Sequence, residues 1–202
     1  MRLNSAVAGA SVVLVSLLFV PGAFAQHVVE VRGADTKYRF ADWNYTGPTG
    51  GVVDVFYVGV PGSNELNVGA GWAFRKGAFV VTPLAYAVAG KEDGQLGVKL
   101  ALLVAADRDG WKLAAFLADY IPAAGNVESY VVLDTLDFTR AIGKRWELGV
   151  QAGFFKTGDA WNQQIGPLVK FNDRLGAWAA SYRFGPDNEF RVGRILVLPS
   201  TR

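Results

Sequence analysis

From residue 36 to the C-terminus, apolar residues alternate with small or polar ones in stretches of roughly ten, each ending at a short turn. The clearest stretch is Leu66-Asn67-Val68-Gly69-Ala70-Gly71-Trp72-Ala73-Phe74. One face carries Leu, Val, Ala, Trp and Phe, and the other carries Asn, Gly, Gly and Ala. A period of two over this length fits a strand lying between two different environments, because successive Cβ atoms point to opposite faces. Read this way, the sequence predicts strands near 27–33, 36–45, 51–60, 64–74, 78–89, 94–105, 110–121, 126–139, 144–156, 160–171, 174–184 and 188–198. The breaks between them hold Pro61-Gly62-Ser63-Asn64, Asp109-Gly110, Asn172-Asp173-Arg174 and Gly185-Pro186-Asp187-Asn188. These residues tolerate or pre-set the dihedrals of tight turns.

The first 25 residues read differently. Arg2 gives a positive start, Ala6 to Val20 is an apolar run, and Pro21-Gly22 breaks it before Ala23-Phe24-Ala25 and Gln26. That is the pattern of a cleaved secretory signal, with small residues where a peptidase needs them. An uncleaved anchor is the competing reading. Cleavage would leave 26–202 as one domain, with 19 basic against 18 acidic residues once Arg2 has gone. The near-neutral balance and the absence of a basic patch argue against a nucleic-acid partner. With no cysteine, the chain has no disulfide scaffold, thiolate metal site, cysteine nucleophile or lipoprotein anchor. No apolar run after residue 25 is long enough for a spanning helix.

Exported alternating strands fit a barrel in a bacterial outer membrane. The expected fold is all-β: a single antiparallel up-and-down transmembrane β-barrel of twelve strands with short turns, ten being the next count, since single-chain bacterial barrels have even numbers. Trp146, Leu148, Val150 and Phe154 would face lipid, opposite Glu147, Gly149, Gln151 and Gly153. Leu96, Val98, Leu100 and Leu102 oppose Gln95, Gly97, Lys99 and Ala101, and Trp178 and Tyr182 oppose Ser181 and Arg183. Trp43, Tyr45, Trp72, Trp111, Tyr120, Trp146, Trp161 and Tyr182 are expected to form interfacial belts, where an amphipathic ring gains from both phases. The alternation has exceptions. Leu113, Phe116, Leu117 and Tyr120 follow helical spacing, Arg194 falls on the outward face, and Asp119, Asp134 and Asp137 have no evident side.

The last strand carries Arg191-x-Gly193-x-x-Leu196-x-Leu198. This resembles the sorting signal of bacterial outer-membrane β-barrels of the porin-like kind. The resemblance implies that Arg191, Gly193, Leu196 and Leu198 are read by the barrel-assembly machinery and that their strand closes the cylinder. The chain departs from the usual terminal aromatic by ending Pro199-Ser200-Thr201-Arg202.

Chemistry is sparse. Outer-membrane hydrolases place a His on the barrel wall; here the sole histidine is His27, expected in a processed terminus. Asp134 and Asp137 have opposite parity and are expected on opposite faces, and Glu92-Asp93 fits a wet turn. Asp187, Asn188 and Glu189 fit a hairpin better than a Ca²⁺ site. No enzyme activity, cofactor or metal is expected. The Gly69-x-Gly71 and Gly149-x-x-x-Gly153 strings lie within strands and lack a following helix, so they are not phosphate cradles. Asn67, Gln95, Lys99, Glu147, Gln151, Gln164, Lys170 and Arg183 are expected to line a narrow lumen that passes small hydrophilic solutes. The alternatives are a closed structural barrel packed with ion pairs, and a soluble lipocalin-like periplasmic carrier with its faces reversed. Expected partners are outer-membrane lipid, the assembly machinery and small solutes.

Overall fold

The computed structural model describes residues 26–91 and 94–199. The expected signal at 1–25, the Glu92-Asp93 pair and Ser200 to Arg202 lie outside the described residues. The strands begin with β1 (Gln26–Ala34), β2 (Arg39–Thr46), β3 (Gly51–Val60), β4 (Ser63–Trp72) and β5 (Phe74–Lys76). They continue with β6 (Phe79–Gly90), β7 (Leu96–Arg108), β8 (Trp111–Ala124) and β9 (Tyr130–Ile142). The last are β10 (Trp146–Thr157), β11 (Ala160–Asn172), β12 (Gly176–Arg183) and β13 (Glu189–Pro199).

Consecutive strands pair antiparallel except β4 and β5, β1 pairs with β13, and β4 pairs with β6 to close the cylinder. The stretch 64–74, predicted as one strand, divides at Ala73, whose N–H donates to the Gly50 carbonyl in the adjacent turn. The short β5 then continues alongside β6, so the barrel has twelve staves with one extra strand. Among the described residues there is no helix. The helical spacing in 111–120 is overridden: β8 pairs along its length with β7 and β9, whose facing edges a helix at this place would leave unpaired.

The two faces sort as the alternation requires. Leu66, Val68, Trp72, Leu96, Val98 and Leu148 stand exposed outside, whereas Asn67, Lys99, Glu147 and Gln151 are buried inside. An apolar exterior around an interior holding many charges rules out the reversed, lipocalin-like arrangement. Arg194 does lie on the outward face, yet it stacks over Trp178 and reaches Asp173 in the β11–β12 turn at 2.9 Å. A long cation can lie on an apolar wall when its head reaches the interface. His27 belongs to β1 and not to a loose terminus. It stacks against Trp43 and Tyr45 with centroids 5.8 and 4.9 Å apart.

One bulge shapes the interior. In β9, Phe116 faces Thr135 while the adjacent Leu117 faces Leu133, leaving Asp134 as the extra residue. Asp134 and Thr135 consequently both point inward and are buried, at 4% and 0% exposed. Parity is reset beyond them, so Asp137 is also inward. The expectation that Asp134 and Asp137 lie on opposite faces fails for this reason. The opposing residue on β10 is Gly153, where an added Cβ would sit 2.5 Å from the Asp134 carbonyl oxygen. Glycine there lets the bulged backbone press in.

The barrel is also not round. Twelve strands about 4.8 Å apart and tilted by about 40° make a circle roughly 24 Å across, so staves four apart would stand roughly 21 Å apart and rings reaching about 5 Å inward from them roughly 12 Å apart. Phe56 on β3 and Phe116 on β8 are four staves apart, but their rings are 6.3 Å apart. Arg32 on β1 and Asp134 on β9, five staves apart, approach to 3.9 Å. The wall β1–β4 therefore comes close to β8–β9, and this pinch divides the lumen into two lobes.

Candidate functional site

The lumen is the candidate site, and the side chains expected to line it all occupy inward positions. They do not stand free in an open bore. Lys99 pairs with Glu65 at 2.6 Å, and Glu65 also accepts from Tyr130 Oη and Gln95 Nε2. Glu147 accepts from Lys112 at 2.5 Å, Thr139 at 3.0 Å and Asn172 at 2.9 Å. Gln151 donates to Asp137 and accepts from Ser181, while Lys170 meets Asp137 at 2.9 Å. Arg183 bridges Glu189 at 2.6 Å and Asp134 at 3.4 Å, and Arg191 binds both of the same carboxylates. Asn67 donates to Glu65. Gln164, half-buried, donates to the Asp187 carbonyl near the rim. Burial makes each bare charge costly, so the charges are found in pairs and networks.

Most of the charged network fills one lobe, enclosed by β9–β13 and β1. The other lobe holds the Lys99–Glu65 pair and is otherwise aromatic, which the alternation did not reveal. Phe56 contacts Phe40, Tyr86 and Phe116, and Tyr120 stacks on Tyr130 with centroids 4.8 Å apart. Tyr120, expected in the outer belt, is fully buried in the lumen, and its hydroxyl donates to the Leu96 carbonyl. Its neighbours Leu117 and Ile121 hold the outward positions. The other expected belt residues keep the outer face. Tyr45, Trp72, Trp111 and Trp146 ring the end where the chain termini lie, Trp43 stands one rung further in, and Trp161 and Tyr182 mark the opposite end.

Sequence signals for the aromatic lobe existed. On β3 both faces are apolar, Val53, Val55 and Tyr57 outside and Val52, Phe56 and Val58 inside. The single charge, Asp54, fixes which set is inward, because a carboxylate facing lipid is expensive. In β9 the polar doublet Asp134-Thr135 between Leu133 and Leu136 is the sequence mark of the bulge.

At the end carrying the β1–β2, β3–β4, β10–β11 and β12–β13 turns, the charged lobe opens into a vestibule of about 530 Å³. Tyr38, Asp134, Asn162, Gln164, Arg183 and Arg191 line it. A smaller cavity of about 90 Å³ lies beside Glu65, Gln95 and Tyr130 at the same end of the aromatic lobe. Below these cavities the buried side chains meet across the pinch. The arrangement can admit a small polar molecule at the rim and hold it against amides, guanidinium groups and the Tyr38 ring, over which Arg191 lies.

Catalytic chemistry finds little here. Asp134 and Asp137 share the inner face, but Arg191 and Lys170 respectively neutralise them. Asn188 caps the β12–β13 turn by accepting from Gly185 N–H, and Glu189 is committed to arginines. Among the described residues no three His, Cys, Asp or Glu side chains are grouped to hold a metal ion. Arg191 of the last-strand motif has its own structural role on Asp134, while Gly193 lies inward and Leu196 and Leu198 outward.

The sequence matches no protein-family model, and no curated protein matches it. Solved structures do resemble it. KdgM porin has a TM-score of 0.62 at 13% identity, covering 87% of this chain and 99% of that one. KdgM porin in complex with disordered oligogalacturonate gives 0.63 at 14% identity, covering 88% and 99%. A chain from work on the in-meso crystallization of membrane proteins gives 0.58 at 12% identity, covering 86% and 83%. At these identities the likeness is one of fold: the chain has a porin-type barrel.

Proposed function

We propose that this chain is an outer-membrane channel for passive passage of small hydrophilic solutes. The observation that carries this reading is the pairing of an apolar outer wall with a charged interior that opens into a vestibule of about 530 Å³. The porin-type fold supports it. The vestibule arginines are already held by Asp134 and Glu189, which suits uncharged or weakly charged solutes better than a polyanion such as oligogalacturonate. In this reading residues 1–25 are a cleaved signal. The 191–198 motif is read during assembly, and outer-membrane lipid covers the exposed leucines, valines and tryptophans. The end holding both termini, with its shorter turns, faces the periplasm.

Planar-bilayer recording of refolded protein tests this. Discrete steps of small conductance are expected; a folded protein that passes no current removes the channel reading. A closed structural barrel is then what remains. The Phe56–Phe116 contact across the pinch favours that second reading, because it narrows the path to what side-chain movement allows.

A further inference from the structure

Two cavities lie one above the other in the charged lobe. The vestibule of about 530 Å³ is the outer one. Beneath it a second cavity of about 20 Å³ is bounded by Glu30, Arg32, Asp137, Gln151, Lys170 and Ser181, room for roughly one water molecule. Among the described residues that line the two, Arg191 alone is common to both. Its side chain is therefore the septum between them. Arg183 lines only the outer cavity and Arg32 only the inner one, so the three guanidinium groups are layered around Asp134.

The contacts of Arg191 divide by wall. Its Nη1 donates to both carboxylate oxygens of Asp134, at 3.2 and 3.1 Å, and β9 lies four staves from β13. That bond crosses the lumen. Its other two partners stand on its own side. Nε donates to Glu189, two residues earlier on β13, and the guanidinium carbon lies 4.3 Å from the centre of the Tyr38 ring, just ahead of β2. Breaking the crossing bond therefore strands neither charge. Arg191 keeps a carboxylate and a ring face, and Asp134 keeps Arg183 at 3.4 Å with Arg32 at 3.9 Å. A buried ion pair is costly to break when one partner is left bare, and here neither is.

We propose that Arg191 is the gate of the charged lobe. It is shut while the guanidinium spans the lumen to Asp134, and open when the side chain folds back onto Glu189 and Tyr38. Because the retracted cation stays on the same lumen wall, opening changes the width of the path and not the sign of its lining charge. Rotamer changes of the long side chain supply the movement without any shift of the strand. The inference rests on the channel reading above.

The chain has no cysteine, so a single introduced thiol reports access to each cavity. The probe is N-ethylmaleimide, an uncharged thiol reagent, applied to the refolded full chain in detergent micelles and read by mass. Asn162→Cys places the thiol in the vestibule, and Ser181→Cys, a near-isosteric change, places it in the inner cavity. Ser181→Cys should react at least about tenfold more slowly than Asn162→Cys, and adding Arg191→Gln should speed it by about tenfold. Loss of a neighbouring cation by itself lowers the thiolate content and slows the reaction, so acceleration reads access. Gly69→Ala, which disturbs packing away from the septum, should leave the Ser181→Cys rate unchanged. In planar bilayers Arg191→Gln should also raise the single-channel conductance. If Arg191→Gln gives no folded band on an unboiled gel, Arg191→Lys carries the test. A lysine keeps a charge beside Glu189 but has no second nitrogen for Asp134, and it should raise the rate part way. Equal rates for the two cysteines overturn the gate, as does a Ser181→Cys rate that Arg191→Gln leaves unchanged or that Gly69→Ala raises as much. A conducting wild type then leaves the channel standing. A wild type without conductance removes the channel and the gate together.

Discussion

The two lobes of the lumen are built from the same kind of strand but solve the problem of filling a barrel differently. In the aromatic lobe, glycine makes room for rings: an added Cβ at Gly69 would lie 2.3 Å from the Tyr86 ring, and one at Gly97 would lie 2.5 Å from both the Tyr120 ring and the Ile121 carbonyl oxygen. In the charged lobe, glycine makes room for backbone. A Cβ at Gly166 would lie 1.7 Å from the Tyr182 carbonyl oxygen, and one at Gly149 would lie 2.0 Å from that of Phe138. Backbone crowding occurs in both lobes, since a Cβ at Gly71 on the aromatic side would lie 2.0 Å from the Pro83 carbonyl oxygen. What differs is the filling above the strands, stacked rings in one lobe and ion pairs in the other. An inward glycine therefore does not by itself signal free lumen.

The contrast can be broken most directly at Gly166. Val at this position meets a backbone oxygen that cannot yield, and a loss of about 3 kcal/mol or more is expected, read as failure to give the folded band on an unboiled gel. A normally folded Gly166→Val protein would show that the charged lobe is not tightly strung. Asp134→Asn comes next. Removing one partner from a buried network leaves Arg183 and Arg191 under-compensated, and about 3 kcal/mol is expected from urea unfolding in detergent micelles. A cost no greater than that of Lys112→Gln, a partly exposed partner, would contradict the ranking.

Phe116→Ala probes the aromatic lobe, with an expected loss of about 2 kcal/mol and, more tellingly, a larger single-channel conductance. Unchanged conductance would place the constriction elsewhere. Gly69→Ala should cost about 1 kcal/mol, since a ring can turn where a carbonyl cannot; an effect equal to that of Gly166→Val would erase the distinction between the lobes. The smallest effect is expected outside both, at Asp173. A hydrogen bond from the Arg194 guanidinium, then one from Leu175 N–H, holds its carboxyl below the ordinary value. A folded-state value that is depressed gives stability that is present at neutral pH and lost as pH falls through that value. Asp173→Asn should therefore flatten the acid limb of the stability profile slightly, and an unaltered limb would count against the contact.

Much of this was legible in advance. Outward Leu96, Val98, Leu100, Trp146 and Leu148, and inward Gln95, Lys99, Glu147 and Gln151, follow from parity, because a charge and a leucine cannot exchange environments cheaply. Parity misled where the chain inserts a residue. Asp134-Thr135 turns both side chains inward and carries Asp137 with them, and nothing in a strict period of two provides for that. Tyr120 was misplaced for another reason: a tyrosine suits either an interface or a satisfied interior, and only the Leu96 carbonyl and the Tyr130 ring decide between them.

The order of residues along each strand was sufficient to set a closed antiparallel cylinder, its stave count and its greasy exterior, since these depend on local alternation and on where turns fall. Which charges meet was settled across the lumen, by a flattened cross-section that brings β1–β4 against β8–β9. Ion pairing between staves four or five apart depends on the shape of the closed ring, and no short-range pattern encodes that shape. The same reason explains why Asp42 and Asp54, ordinary in the sequence, emerge as buried acids with no ion pair among the described residues.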